Sequence, residues 1–178
     1  EAMAHGVTFL TDDRKNEGLC LDLPIYRNIS LPVFRRLKTG PFLTVQAERQ
    51  ETQRYMELMN IKAESSAKLV RKLSGGNQQK VLLGKCLSPA PKVLLVHEPT
   101  RGIDVAAKIE IYTLLKKLAR EEQVAVVMVS SDLMEVLNVS DRILVVYGGG
   151  ISGELAAADA TEESVMRLAT GVAKEAAV

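Results

Sequence analysis

The protein is 178 residues long, 47% of its residues are apolar, and its formal net charge is +1. This length and composition predict a globular domain with a buried core and exclude an intrinsically disordered chain. The near-neutral charge argues against a protein that tracks nucleic-acid phosphates, because such proteins usually carry a basic excess.

Neither cysteine, Cys20 or Cys86, stands in a metal-ligand spacing, so we expect two free thiols in a reducing compartment. The longest apolar run, Val124 to Val129, is too short to cross a bilayer. The sequence opens at Glu1 without an initiator Met, and its first residues already lead into a predicted strand. We therefore expect it to belong to a longer protein.

The first part of the chain predicts one strand followed by helices. Gly6 to Thr11 is apolar and β-branched and predicts a strand ending at Leu10 or Thr11, before the charged run Asp12 to Lys15. Pro24 opens a predicted helix over Leu23 to Leu37, closed near Gly40 and Pro41. Its basic side chains suit either solvated surface or contact with a partner or a membrane-proximal surface; they are Arg27, Arg35, Arg36 and Lys38.

A second predicted helix, Val45 to Met59, completes a stretch from residue 14 to 73 with little strand signal. Beyond it, helical and strand patterns alternate. The predicted elements are a helix from Gly75 to Leu87, a strand Lys92 to Val96, a helix to about Glu122 capped by Asp104, a strand Val124 to Val129, a short helix Leu133 to Leu137, a strand Arg142 to Val146, and a helix capped by Thr161 and stopped by Gly171, before a frayed tail to Val178.

The apolar helix stripe and the apolar strands after residue 73 predict an α/β core. The helix after Asp104 has a predicted buried stripe of Ile109, Tyr112, Leu115, Leu118 and Ala119. The strands are unbroken apolar runs, which are typical of a parallel sheet covered on both faces. We therefore predict an α/β layered fold with a mainly parallel sheet that includes Arg142 to Val146, and a helical subdomain inserted between two parts of the sheet.

The most informative stretch is Leu73 to Lys80, Leu-Ser-Gly-Gly-Asn-Gln-Gln-Lys. Adjacent glycines permit close approach of a ligand, and the following apolar spacing predicts a helix that starts there, with Val81, Leu82, Cys86 and Leu87 on its buried side. Free amide groups and the positive end of the helix dipole would face a phosphate. Taken alone, Ser-Gly-Gly would indicate only a loop before an N-capped helix.

The stretch resembles, letter for letter, the signature motif of ATP-binding cassette (ABC) proteins. Val93 to Thr100, Val-Leu-Leu-Val-His-Glu-Pro-Thr, is similar to the Walker B strand of that family, followed by its catalytic Glu and D-loop. The resemblance implies a partial P-loop-NTPase-like fold in three parts. Residues 1–13 would hold a core strand and the Q-loop equivalent, 14–73 the helical subdomain, and 74–178 the signature helix, Walker B and the C-terminal part of the ATPase core.

Three motif segments of the sequence resemble the second cassette of tandem ATPase subunits in bacterial importers of ribose, galactose or xylose. They are Asn-Gln-Gln-Lys at 77–80, Glu-Pro-Thr-Arg-Gly-Ile-Asp-Val at 98–105 and Ser-Ser-Asp-Leu at 130–133. The resemblance implies an ATPase subunit, with ATP and Mg²⁺ as cofactors, that energises import of a monosaccharide or similar small solute.

The chain itself has no P-loop. The nearest approach, ending at Gly84-Lys85, has Gln79 where the first Gly should stand and Cys86 where Ser or Thr should stand. We therefore expect the isolated chain to bind ATP weakly or not at all, and to be inactive outside the complete subunit.

The resemblance assigns the remaining site residues. In trans, the signature would contact ATP held by the partner cassette, through Ser74, Gly75, Gly76, Asn77 and Gln78. Glu98 would be catalytic, although a surface Glu after a strand is the simpler alternative. His97 stands where the family has the Walker B Asp, and because Mg²⁺ prefers oxygen ligands, no metal ligand is certain. The D-loop positions are Gly102, Ile103 and Asp104.

Two further positions depart from the family pattern. Asp12 stands at the Q-loop equivalent, and a charged loop residue without a role is an open alternative. Ser131 takes the switch position, where most cassettes have His, and lacks the reach and charge of imidazole. His5 is expected at the surface.

The resemblance also implies the partners and the location. The partners would be the first ATP-binding cassette, in the same polypeptide or a second copy, the membrane permease subunits and, indirectly, a periplasmic or extracellular sugar-binding protein; nucleic acid is not expected. The location would be peripheral, at the cytoplasmic face of the plasma membrane. Alternatives are a non-catalytic truncated cassette that only docks to a permease and, disfavoured because no heptads appear in residues 1–72, the C-terminal lobe of an SMC-type chromosome-maintenance ATPase.

Overall fold

The computed structural model describes residues 1–38 and 42–171, and the chain divides after Val129 into two compact units. The strands are β1 (Val7–Leu10), β2 (Val93–His97), β3 (Ala125–Val129), β4 (Arg142–Tyr147) and β5 (Gly150–Ala156). The α-helices are α1 (Ile25–Ser30), α2 (Val45–Leu58), α3 (Gly75–Leu87), α4 (Val105–Arg120), α5 (Leu133–Val139) and α6 (Glu162–Ala169). Shorter helical turns cover Ala2–His5, Arg14–Gly18, Leu31–Val33 and Val70–Lys72.

The first unit is built on a parallel sheet in the order β1-β2-β3. Its register aligns Phe9, Leu95 and Val127 in one row across the three strands. Because parallel strands share one carboxyl edge, the loops after β1 and β2, which carry Asp12 and Glu98, emerge side by side. The predicted α/β fold with a parallel sheet is confirmed.

One face of this sheet is buried and the other is open among the described residues. Leu10, Leu94 and Val96 are almost fully buried. Phe9 is 56% exposed and Val127 is 53% exposed, although both belong to the apolar strands. The prediction that these strands are covered on both faces is therefore wrong for this chain, because unbroken apolarity indicates a covered strand without saying which part of a protein covers it.

Helix α3 is the centre of the first unit and begins at Gly75, as predicted. The Oγ of Ser74 accepts a hydrogen bond from the Asn77 amide, which is the usual N-cap arrangement. The predicted stripe is buried throughout, and it consists of Val81, Leu82, Cys86 and Leu87. At the other end, the Tyr55 hydroxyl of α2 donates to the Leu87 carbonyl over 3.2 Å.

The segment before α3 is helical but more broken than predicted. Instead of one helix over Leu23 to Leu37, α1 ends at Ser30 and a tighter turn follows over Leu31–Val33. Pro32 lacks an amide N–H and cannot continue the α-helical hydrogen-bond pattern. The predicted helix end near Gly40 and Pro41 lies outside the described residues, and the proposed domain boundaries stay predictions.

Helix α4 begins after Asp104, whose Oδ1 accepts from the Ala107 amide over 2.9 Å, and this cap was predicted. Its buried side chains are Ala107, Ile111, Leu114, Leu115 and Leu118. Ile109, placed in the buried stripe by the sequence analysis, is 59% exposed. Leu115 and Leu118 of the predicted stripe are confirmed as buried, and the prediction is wrong for Ile109. Ile109 and Ile111 are both apolar, and only tertiary packing decides that Ile111 is the buried one.

The second unit has its own small core. β4 and β5 form an antiparallel hairpin, and Ile143, Val145 and Val165 bring α6 against it. The Thr161 cap was predicted, and it forms a reciprocal pair of hydrogen bonds with Ser164. The prediction that β4 joins the parallel layer is wrong among the described residues, where β4 pairs with β5. The predicted frayed tail lies outside the described residues.

Candidate functional site

The start of α3 combines a side-chain cap with two glycines. Once Ser74 Oγ has taken the Asn77 N–H, the amides of Gly75 and Gly76 have no acceptor within the helix. A Cβ on Gly76 would lie 2.6 Å from the Ala107 Cβ, so α3 and α4 approach at this point to a distance that only glycine permits. A Cβ on Gly75 would lie 3.3 Å from the Gly102 carbonyl oxygen. Gly76 is therefore required by the chain's own packing, whereas a side chain at Gly75 would make only a tight contact.

The side chains of the two residues that follow the glycines form hydrogen bonds with backbone groups of the preceding loops. The Oδ1 of Asn77 accepts from the Lys62 amide over 2.8 Å, and its Nδ2 donates to Ser74 Oγ over 3.0 Å. The side chain of Gln78 is buried, and its Nε2 donates to the Val70 and Leu73 carbonyls, both over 3.3 Å. These contacts fix the loops that lead into α3, and they add a structural role to the nucleotide contact that the resemblance assigns to both side chains.

Glu98 follows β2 directly and has a positive φ of 47°. Its amide donates to the Val129 carbonyl over 2.9 Å, and its carbonyl accepts from the Arg101 amide over 3.2 Å. A non-glycine residue in the left-handed region costs about 1–3 kcal/mol and persists where the surrounding structure enforces it. The strain marks Glu98 as a residue held in place at the carboxyl edge of the sheet.

Asp12, in the loop after β1, contacts residues at the end of β2 and in the loop that follows it. Its Oδ1 lies 3.2 Å from His97 Nδ1, and its Oδ2 lies 2.5 Å from Arg101 Nη1. The sequence left Asp12 open as a charged residue without a role, and in the structure its carboxylate contacts both the Arg101 guanidinium and the His97 imidazole. The predicted Q-loop and Walker B positions are therefore in direct contact.

The predicted D-loop positions lie between Glu98 and α4. Gly102 has a φ of 68°, Asp104 caps α4, and the Ile103 side chain lies beside Gly75, with Cγ2 3.8 Å from a Cβ built there. The D-loop segment and the start of α3 are thus neighbours in one unit.

Arg14 contacts the D-loop segment, and no motif in the sequence indicated this role. Its Nη1 donates to the Arg101 carbonyl over 2.6 Å and its Nη2 to the Gly102 carbonyl over 2.9 Å. The preceding Asp13 accepts hydrogen bonds from the Asn16 side chain and amide, which lower the pKa of its carboxyl group. A run of charged residues after a strand indicates an edge, but no local pattern tells which of them turns inward.

Ser131, the predicted switch residue, lies in the second unit, just before α5. Its neighbour Ser130 donates to the buried carboxylate of Glu135, and the Asp132 amide donates back to Ser130 Oγ over 3.1 Å. The assignment of Ser131 stays a prediction. His5 is exposed, as expected.

The residues at the end of β2 do not fit Mg²⁺. The imidazole of His97 is a poor ligand for this ion, and both oxygens of Asp12 already contact His97 and Arg101. Among residues 1–38 and 42–171, no group of three or more His, Cys, Asp or Glu side chains is arranged to hold a metal. The same part of the chain contains no helix with the length and apolarity needed to span a bilayer.

Comparison with solved structures first defines the fold. The chain superimposes on the ATP-binding cassette MJ0796 in a dimeric post-hydrolysis state bound to ADP and Pi, with a TM-score of 0.70 and 24% identity. The match covers 85% of this chain and 62% of that chain. This likeness gives the architecture of an ATP-binding cassette.

Sequence comparison then gives the family. Residues 9–101 match the family model described as ABC transporter, and the chain belongs to that family. It is 47% identical to the ribose import ATP-binding protein RbsA of Bacillus cereus over 171 residues, which are 96% of this chain and 34% of that protein. A putative ribose/galactose/methyl galactoside import ATP-binding protein of Rhizobium etli is 44% identical, with 96% and 32% covered. The chain thus spans about a third of these relatives.

Proposed function

We propose that the chain is part of an ATP-hydrolysing subunit that powers import of a monosaccharide through an ABC transporter. The observation that carries the proposal is the presence, within one unit, of a capped α3 start at Ser74 and Gly75 and of the strained Glu98 after β2, with the D-loop residues Gly102 and Ile103 lying beside Gly75. The relatives are named as ribose and galactose import proteins, and these names support a monosaccharide as the imported solute.

The two halves of this site serve different nucleotides. The amides at the start of α3 and Ser74 bind phosphate oxygens of an ATP held by a partner cassette, because a helix N-terminus attracts negative charge. Glu98 orients water towards an ATP bound on its own cassette, at the carboxyl edge of the sheet. The described residues at the end of β2 offer no suitable donor set to Mg²⁺, so none of them is assigned to the metal.

The remaining partners follow from import. A membrane permease forms the path for the sugar, and an external binding protein delivers it, while this subunit lies peripherally on the cytoplasmic face of the membrane. The relatives named as import ATP-binding proteins support this arrangement.

Reconstitution of the complete subunit with its permease and binding protein in vesicles tests the proposal. We expect ATP-dependent uptake of radiolabelled ribose, galactose or xylose. Glu98→Gln should lower hydrolysis by about 10²-fold or more while ATP binding is kept, because a positioned carboxylate contributes at least that factor. Glu121→Gln, the same change at an exposed carboxylate after α4, is the matched control.

Sugar uptake that persists in the Glu98→Gln variant, or an equal loss in the Glu121→Gln variant, would contradict the role of Glu98. Vesicles that hydrolyse ATP without accumulating any of these sugars would contradict import of a monosaccharide.

A further inference from the structure

Arg14 connects two of the motif segments through its guanidinium group. The two short hydrogen bonds to the Arg101 and Gly102 carbonyls, 2.6 and 2.9 Å long, use both terminal nitrogens. Hydrogen bonds from an ionised donor are roughly twice as strong as neutral ones. The segment between Glu98 and α4 is therefore held from its carbonyl side by a residue of the loop after β1.

The same guanidinium also lies against the start of α3. A Cβ built on Gly75 would be 3.2 Å from Arg14 Nη2, and one built on Gly102 would be 3.5 Å from it. The Nε of Arg14 is shielded from solvent and has no hydrogen-bond partner in the part of the chain that the structure describes. Arg14 is thus wedged between Gly75 and Gly102, with its charge towards the backbone of both motif segments.

The loop that carries Arg14 is itself firmly placed. Asp13 accepts from the Asn16 amide over 3.0 Å and from the Asn16 side chain over 2.8 Å. Asp12 contacts His97 and Arg101 from the same loop. If the start of α3 moved, this loop would move with it and would displace the residues around Glu98.

We propose that Arg14 is a positioning residue that couples the start of α3 to the Glu98-bearing segment. The inference rests on the proposed function, in which the α3 start contacts ATP on the partner and Glu98 serves ATP on its own cassette. Binding at the α3 start would then fix the backbone of Arg101 and Gly102, and with it the direction of Glu98. Lysine cannot replace Arg14, because a single ammonium lacks the planar fork that reaches two carbonyls at once.

The first test is hydrogen exchange of the complete subunit, read by mass spectrometry. In Arg14→Ala we expect the amides from Glu98 to Asp104 to exchange about 10-fold faster or more, the factor expected from loss of a charge-assisted hydrogen bond. Amides of α2 should be unchanged. Lys15→Ala removes an exposed cation from the next position, and the exchange rates of the same amides should stay as in the parent.

The second test is ATP turnover by the same variants in the reconstituted complex. In Arg14→Ala we expect kcat to fall by up to about 10²-fold, as for a misplaced catalytic group, with the KM for ATP nearly unchanged. Arg14→Lys should not restore kcat, whereas free guanidinium ion should restore part of it in Arg14→Ala. A purely structural role would lower the amount of folded protein and would not respond to guanidinium.

Unchanged exchange from Glu98 to Asp104 in Arg14→Ala would overturn the coupling, whatever turnover does. A higher KM at constant kcat, full activity of Arg14→Lys, or an equal loss in Lys15→Ala would also overturn it. Because exchange is read without transport, a parent complex that fails to import sugar would refute the proposed function separately from the Arg14 contacts.

Discussion

His97 stands at the end of β2, where the resemblance to ABC cassettes predicts Asp, and it contacts the Asp12 carboxylate. In the complete subunit, His97→Asp supplies an oxygen donor and places two carboxylates side by side, which favours a bound cation between them. We expect Mg²⁺-dependent ATP hydrolysis to rise by about 10-fold, a typical effect of one residue on a metal site. A Mg²⁺ titration of hydrolysis measures it.

His97→Asn is the matched control, because it removes the imidazole at similar size without adding charge. An unchanged rate and an unchanged Mg²⁺ requirement in His97→Asp would contradict the interpretation that His97 weakens Mg²⁺ binding at the end of β2. An equal rise in His97→Asn would show that loss of the imidazole, and not gain of a carboxylate, is responsible.

The two cysteines should differ sharply in reactivity. Burial raises the pKa of the Cys86 thiol to about 12, whereas Cys20 is exposed. Only the thiolate reacts with alkylating agents, so at pH 8 the reactive fraction of Cys86 is about 10⁻⁴. We expect iodoacetamide to modify Cys20 alone in the folded protein and both thiols in urea, as read by peptide mass mapping. Comparable labelling of Cys86 in the folded state would refute its burial.

Residue roles were predictable from the sequence where they depend on neighbours along the chain. The caps Ser74 and Asp104 and the position of Glu98 follow from short motifs. The contacts of Arg14 and Asp12 do not, because their partners at Arg101 and Gly102 lie 87 to 89 residues away. A charged run after a strand is compatible with many such pairings, and only the tertiary fold selects one.

At the scale of elements, an ion pair between a buried ammonium and a partly exposed carboxylate joins α3 to α4. The Lys80 side chain of α3 is 4% exposed, pairs with the Glu110 carboxylate of α4 and donates to the Asn60 carbonyl over 3.0 Å. Glu110→Gln leaves the buried ammonium with a weaker partner. We expect the free energy of unfolding to fall by about 1–2 kcal/mol at pH 7, a value reduced because Glu110 is partly exposed.

The same pair gives a pH dependence with a defined sign. The hydrogen bond from Lys80 lowers the pKa of Glu110 below its ordinary value of 4.5. The stabilisation is therefore present above the unfolded-state pKa and is lost as the pH falls through the lower folded-state value. Urea unfolding at pH 7 and below pH 4 should show a difference between parent and Glu110→Gln that disappears in acid. Glu163→Gln, at an exposed carboxylate, should show no such convergence. A difference that persists in acid would refute the pair.

Helices were predicted more reliably than the way strands assemble. Caps at Thr44, Ser74, Asp104 and Thr161 fix helix starts with local hydrogen bonds. β5 was missed, because its seven residues include two glycines, which are unfavourable inside a strand. Gly148 and Gly149 both have positive φ, which suits the tight turn of a hairpin.

At the scale of the whole molecule, the parallel sheet presents an open apolar face among the described residues. The row formed by Phe9, Leu95 and Val127 crosses all three strands, and His97 lies on the same face at the carboxyl end of β2. Parallel sheets are normally covered on both faces, since their strands carry apolar side chains on each. An exposed apolar patch of this kind favours association.

We therefore expect the 178-residue chain by itself to self-associate with rising concentration, as measured by sedimentation velocity. The double variant with Phe9→Gln and Val127→Thr should shift the distribution towards monomer, with an unchanged far-UV circular dichroism spectrum. Val105→Thr changes an exposed apolar side chain on α4, outside this face, and should not shift it. A parent chain that stays monomeric at all concentrations would mean that the row attracts no second copy, and an equal shift in Val105→Thr would place the association elsewhere on the surface.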